Sequence, residues 1–208
     1  LTPAHQSPLG VALSLPRRRQ LLDWAARQQA WIIEDDYDSE FRYQGKPLPP
    51  LKSLDAPQRV IYAGTFSKSM FPALRAAWVV VPPPLVAPFR HCVQKIACSV
   101  PLLWQQTLGD FMHEGHFWRH LKKMRVHYAE RRRWLEEALL ANGFEVVPQQ
   151  GGIQLVASIT GNDRQLARQA RDAGLAVQAV NDWRIAGSGP PGLIMSFTNI
   201  ASSSMAHE

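Results

Sequence analysis

The stretch Val60-Ile61-Tyr62-Ala63-Gly64-Thr65-Phe66-Ser67-Lys68-Ser69 decides how this chain is read. An apolar run rich in β-branched and aromatic residues ends in a glycine, hydroxyls and a lysine, as a buried strand does when it runs into a polar loop. Upstream, Trp31-Ile32-Ile33 runs in the same way into Glu34-Asp35-Asp36-Tyr37-Asp38. Alternate residues of a strand share a face. The pattern therefore sets Ile33, Asp35 and Tyr37 on one side, with Asp36 and Asp38 on the other. Beyond the lysine, Ser69-Met70-Phe71-Pro72-Ala73-Leu74-Arg75 adds a guanidinium seven residues on.

One chemistry uses all of these groups. A lysine amine forms a Schiff base with the aldehyde of pyridoxal phosphate, and a carboxylate pairs with its pyridine nitrogen. A phenol suits the ring hydroxyl. The fixed fork of an arginine matches a phosphate dianion, and Thr65 and Ser67 add hydroxyl donors beside it. Charged groups at strand ends are ordinarily solvated, so Lys68 alone carries little weight. An acid, a phenol, hydroxyls, a lysine and an arginine in this arrangement are harder to explain as surface decoration.

Three strings carry a family resemblance: Thr2-Pro3-Ala4-His5-Gln6-Ser7-Pro8-Leu9-Gly10, Glu34-Asp35-Asp36-Tyr37-Asp38-Ser39-Glu40-Phe41-Arg42-Tyr43, and Gly64-Thr65-Phe66-Ser67-Lys68. With them the chain resembles the MocR-type subfamily of GntR regulators. Those proteins join a winged helix-turn-helix DNA-binding domain to a domain like the fold-type I aminotransferases. The resemblance implies an α/β, fold-type I transferase-like architecture that binds pyridoxal phosphate. Residue by residue, it implies that Lys68 holds the internal aldimine, Asp35 pairs with the pyridine nitrogen and Tyr37 bonds the ring hydroxyl. Thr65, Ser67 and Arg75 would surround the phosphate. Gln6 and Ser7 lie where aminotransferases often place an asparagine that touches the ring hydroxyl, and Ser7 is kept as a further candidate.

The chain has 208 residues, 46% of them hydrophobic, enough for one large domain or two small ones. Helical periodicity covers 15–29, with Leu21, Leu22, Trp24 and Ala25 on the apolar side and Pro16 in the first turn. Strand signals follow at 30–33, 60–63 and 77–81. Their spacing predicts α/β layering with a largely parallel sheet. Helices are expected over 85–99 and 102–114, and a long one over 116–141 that stops at Asn142-Gly143. Strands at 144–147, 152–159, 175–180 and 193–198, with a helix at 164–173, complete the pattern. Gly115 is the candidate boundary: 1–114 would be part of the large cofactor-binding domain and 115–208 a small carboxy-terminal α/β domain. The chain begins inside the Thr-Pro-x-His-Gln motif, so it reads as a piece of a longer protein. By resemblance, the DNA-binding domain and the start of the large domain would precede it.

Other features weigh less. Cys92 and Cys98 are too few for a disulfide framework, and their spacing fits no common metal motif, so both read as buried thiols. The histidines are scattered, with no metal-ligand spacing. The Gly-x-Ser-x-Gly elbow of hydrolases is absent. No transmembrane run or signal peptide is evident, which points to the cytoplasm and away from membranes. The formal net charge is +6, and much of the basic surplus falls at Arg119, Lys122, Lys123, Arg125, Arg131, Arg132 and Arg133. Lys122 and Lys123 diverge by about 100° on a helix, so these positions make a solvated face rather than one basic stripe. DNA contact belongs to the domain absent from this chain.

One departure bears on enzyme activity. Fold-type I aminotransferases commonly grip a substrate carboxylate with an arginine in the last strand, three residues before an aromatic. Here Leu193-Ile194-Met195-Ser196-Phe197 puts Ile194 at that place, and Arg184 makes no firm match. A cofactor pocket with an altered substrate clamp suits an effector-sensing domain that responds to an amine or amino acid. The alternative is an aminotransferase in which Lys68 also moves the Cα proton. A homodimer is implied by the resemblance alone.

Overall fold

In a computed structural model, residues 1–96, 99–185 and 189–207 are described. The chain divides into two compact units. The first holds Leu1–Gln6, Val11–Glu40 and Lys46–Lys122; the second holds Ser7–Gly10, Phe41–Gly45 and Lys123–Glu208. The division falls inside a long helix, between Lys122 and Lys123.

The first unit contains α1 (Leu15–Arg27), β1 (Ile32–Asp36), β2 (Val60–Thr65), β3 (Ala77–Val80), α2 (Val86–Lys95), α3 (Leu102–His113) and the start of α4 (His116–Ala141). Its sheet has the order β1-β2-β3. β1 and β2 are parallel, whereas β3 is antiparallel to β2. The expected largely parallel sheet is therefore corrected to a mixed one. The connection from β2 to β3 spans only 66–76 and holds a single 3₁₀ turn, too little chain for a parallel crossover. Leu22 and Ala25 of α1 pack on Ile32, Leu51 and Val60, which buries one face of the sheet. Trp24 is exposed, off that face.

In the first turn of α1, Arg18 is fully buried between the exposed Arg17 and Arg19. Its Nε donates to Leu13 O (2.8 Å), Nη1 to Pro49 O (2.7 Å) and Nη2 to Pro3 O (2.7 Å). A buried guanidinium is tolerable because its donors are answered by fixed carbonyls.

The second unit contains the rest of α4, β4 (Glu145–Val146), β5 (Gln154–Ser158), α5 (Asp163–Asp172), β6 (Val177–Ala179), β7 (Gly192–Ser196) and α6 (Ser203–His207). Its sheet runs β4-β5-β7-β6, antiparallel throughout. Leu135 and Leu139 of α4 pack on Leu155, Ala157, Phe197 and Ile200. On the same face, by strand register, Ala167 of α5 meets Val177, Ala179 and Leu193. The N-cap Asn162 Oδ1 accepts from Gln165 N (3.1 Å), which starts α5.

The basic run in α4 is not simply a solvated face. Arg132 is buried, donates to Gln149 O and lies over the Tyr43 ring, while Arg131 donates to Thr198 O. Cys92 is exposed rather than buried, because α2 has no buried residue; Cys98 lies outside the described residues. Among the described residues no helix is long and apolar enough to cross a membrane, and no group of three or more His, Cys, Asp or Glu side chains could hold a metal.

Candidate functional site

The open face of the first unit's sheet is where the candidate groups gather. Strand pairing puts Ile33, Asp35, Ile61, Ala63, Thr65 and Val79 on the face opposite α1. Ile33 is 60% and Val79 51% exposed. This face is apolar along its length and becomes polar at the carboxyl ends of β1 and β2. Ligands in open α/β sheets sit outside that end of the strands.

The acidic string after Ile33 splits its work by strand alternation. Glu34 points to the buried side, where its oxygens accept from Leu51 N and Lys52 N, both at 2.8 Å. Burial holds the Glu34 carboxyl above its ordinary range, against those two bonds. Asp35 points to the open face and is exposed. Asp36 accepts from Tyr62 Oη (2.8 Å) and Ser39 Oγ (2.7 Å), and burial together with that carboxylate pushes the Tyr62 phenol up.

β1 ends at Asp36, so the alternation expected for Tyr37 and Asp38 does not continue. Both side chains instead reach His5. Tyr37 Oη donates to His5 O (3.0 Å) and lies 3.2 Å from His5 Nδ1, which is 3.0 Å from Asp38 Oδ2. Burial raises the Asp38 carboxyl above its ordinary value, and the His5 contact and the Lys68 charge oppose that rise.

Thr65, Ser67, Lys68 and Arg75 lie in or beside a single loop closed by Phe66 N donating to Ala76 O (3.1 Å). Ser67 N donates to Thr65 Oγ1 (3.1 Å), and that hydroxyl donates to Ser67 Oγ (3.0 Å), so the two hydroxyls are together. Phe66 is buried against Trp78 and Phe117, with centroids 4.7 and 5.7 Å apart. Met70 N donates to Phe66 O (2.8 Å), a tight turn that leaves Lys68 exposed and Ser69 buried. Gly64 faces Trp78 across the β2–β3 pair, and a Cβ there would collide with the indole. That collision explains the glycine in the motif.

Arg75 is exposed at φ 50° and ψ 33°, the left-handed region that non-glycine residues enter at a cost of about 1 kcal/mol or more. Asp35, Lys68 and Arg75 carry no ion pair or side-chain hydrogen bond among the described residues. Ser7 belongs to the second unit, where it is half-buried and precedes a cis peptide to Pro8.

His5, Asp38 and His120 were not singled out by sequence reasoning. His5 and Asp38 each sit inside a motif string, and that shared placement was the available signal. His120 has no signal of this kind.

The sequence profile described as "Aminotransferase class I and II" matches residues 1–193. The chain is 42% identical over 180 residues to the "Probable rhizopine catabolism regulatory protein MocR" of Rhizobium meliloti; the match covers 84% of this chain and 36% of that one. It is 38% identical over 185 residues to YhdI of Bacillus subtilis, an HTH-type transcriptional regulator, covering 86% of this chain and 39% of that one. It thus spans well under half the length of these relatives. Among solved structures, the α-aminoadipate aminotransferase LysN of Thermus thermophilus, complexed with N-(5'-phosphopyridoxyl)-L-leucine, superposes with a TM-score of 0.86 at 26% identity. That match covers 100% of this chain and 55% of LysN.

Proposed function

This chain belongs to the aminotransferase class I and II family, and we propose that it is the pyridoxal phosphate-binding, effector-sensing part of a GntR/MocR-type DNA-binding transcriptional regulator. One observation carries the cofactor reading. A carboxylate (Asp35) at the end of β1 and an amine (Lys68) and a guanidinium (Arg75) on the loop after the neighbouring β2 stand without ion pairs among the described residues, with the Thr65–Ser67 hydroxyl pair on the same loop. Unpaired charges gathered at one end of a sheet fit a ligand with a basic ring nitrogen, an aldehyde and a phosphate.

When bound, pyridoxal phosphate supplies an aldehyde that an amine captures and a ring that draws electrons from the attached carbon. Asp35 holds the proton at the ring nitrogen. Tyr37 meets the ring hydroxyl, and Ser7 is a further candidate for that contact. Thr65 and Ser67 donate to phosphate oxygens, and Arg75 offers its two-pronged fork to the same dianion. Lys68 provides the amine that fixes the ligand. The apolar surface of Ile33, Ile61, Ala63 and Val79 gives the ring a dry wall.

An effector amine or amino acid would be sensed at the same site, beside Lys68. Its binding biases a DNA-binding domain carried elsewhere in a longer protein, by linkage between the two sites. Two observations support a regulator. MocR and YhdI are named as regulators. Ile194, at the place of the usual substrate-binding arginine, is buried in β7 against Val156 and Val180 and offers a carboxylate nothing. The likeness to LysN favours the second reading, an aminotransferase acting on an amino acid, in which Lys68 also carries the Cα proton. A homodimer working in the cytoplasm accords with either reading.

The test is an absorption spectrum of the full-length protein with added pyridoxal phosphate, beside Lys68→Ala. A visible band lost in the variant supports the assignment, and its absence from the wild type refutes it. Turnover with amino acids then separates sensor from enzyme.

A further inference from the structure

The side chains of His5 and Asp38 stand beside the proposed cofactor face and have no part in the reading above. Their exposures are 8% and 2%. His5 Nδ1 and Asp38 Oδ2 stand 3.0 Å apart, within ion-pair distance but not aligned as a hydrogen bond. The same Nδ1 lies 3.2 Å from Tyr37 Oη, whose own proton goes to the His5 carbonyl at 3.0 Å. His5 Nε2 is buried with no partner among the described residues. Leaving a buried polar atom unanswered is costly, so this imidazole is not present merely to satisfy the interior.

We propose that Asp38 and His5 are a positioning pair: Asp38 fixes the His5 ring, and His5, through Nδ1 and its carbonyl, fixes where Tyr37 puts its hydroxyl proton. The inference rests on the cofactor reading, because Tyr37 is there the group that meets the ring hydroxyl. Tyr37 has a single proton to donate. While it goes to the His5 carbonyl, the phenol can only accept from a ligand; to donate to a ring oxygen it must leave that carbonyl. The Asp38–His5 contact sets the cost of this exchange and so tunes the protonation of whatever ring lies against Tyr37. The charged groups facing Asp38 are His5, Asp36 at the end of β1 and Lys68 on the loop after β2. Lys68 therefore acts on Asp38 through its charge without touching it.

The experiment is a pH titration of the visible spectrum of the full-length protein loaded with pyridoxal phosphate. It compares wild type, D38N, H5N, H5Q, Y37F and the D38N/Y37F double variant. D38N, H5N and H5Q should keep the band that K68A abolishes, and Y37F, which removes a proposed cofactor contact, serves only as the background in which D38N is read. D38N and H5Q should shift its pH midpoint by about one unit, the size of one altered hydrogen bond. H5N should shift it less, because the asparagine amide stands near the place of Nδ1. In the Y37F background D38N should add no shift, since the pair acts through the phenol.

Unchanged midpoints in D38N and H5Q overturn the proposal, even if thermal stability falls. So does a D38N shift that persists in Y37F. If D38N does not fold, the contrast between H5N and H5Q decides the matter at one position. A wild-type protein without a lysine-dependent band overturns the cofactor reading and this proposal together, a result distinct from a normal band with unmoved midpoints.

Discussion

His120 Nε2 lies 2.9 Å from the backbone carbonyl of Ser69, the residue after Lys68. The first turns of α4 thus hold the lysine loop from below, and Phe117 one turn earlier packs on Phe66 at the start of that loop. His120→Ala should cost about 1 kcal/mol of stability, the net worth of one hydrogen bond. If that bond pre-organises the loop, affinity for pyridoxal phosphate should fall about fivefold. Chemical denaturation and a cofactor titration check both values. Lower stability with unchanged affinity would mean that Phe66 packing alone sets the loop.

Arg75 pairs a strained backbone with an exposed side chain. Arg75→Gly removes a left-handed penalty of about 1–2 kcal/mol and adds unfolded-chain entropy of roughly 0.5–1 kcal/mol, so stability should hold or rise slightly. Arg75→Lys keeps the strain and loses the fork. Both should weaken binding of pyridoxal phosphate more than binding of pyridoxal, read by the absorption titration. Equal losses for the two ligands would remove Arg75 from the phosphate.

Arg18→Met should destabilise the protein by about 3 kcal/mol or more, because three carbonyls, one in a fully buried bond and two in partly buried ones, lose charged donors at once. Its exposed neighbours give the control: Arg17→Ala and Arg19→Ala should stay within about 0.5 kcal/mol. Urea midpoints of the three variants decide this. Similar small effects would show that the interior around Arg18 admits water.

Asp163 predicts a pH limb. Burial works to raise its carboxyl, but N–H donors from Asn181, Gly192 and Arg164 outweigh burial and hold it below the ordinary value of 3.8. The folded state therefore binds fewer protons there than the unfolded one. Its contribution is present in full above the unfolded value and is lost as pH falls through the folded one. Asp163→Asn should lower stability at neutral pH and flatten the loss of stability below about pH 4. Denaturation midpoints from neutral pH downward test the slope, and an unchanged acid limb would remove Asp163 as its source. Asp38 and Glu34 have the opposite sign: raised carboxyls stabilise the fold at low pH and lose that contribution as pH rises through their folded values.

The elements follow the periodicity of the sequence closely. β2 begins at Val60 and α4 runs from His116 to Ala141, as the apolar spacing and the Asn142-Gly143 stop require. Strand direction was less legible. β3 turns back because 66–76 holds no crossover helix, and periodicity carries no information on which neighbour a strand will choose. Trp24 belongs to the apolar stripe by spacing, yet it stays exposed while Leu22, Ala25 and the partly buried Leu21 join the core.

By itself the sequence determined the types of chemical group and their order along the chain: an acid, a phenol, hydroxyls, a lysine and an arginine, set at strand ends. These are local facts, fixed by strand alternation and turn chemistry. The tertiary structure decided which acid does what. Glu34 caps a 3₁₀ turn, Asp36 takes Tyr62, and Asp38 takes a histidine 33 residues away, leaving only Asp35 on the open face. It also set Arg18 apart from Arg17 and Arg19, and His120 apart from its basic helix. Composition and periodicity act over a few residues. A buried charge is decided by which distant carbonyl or carboxylate the fold brings within 3 Å, and no local pattern encodes that.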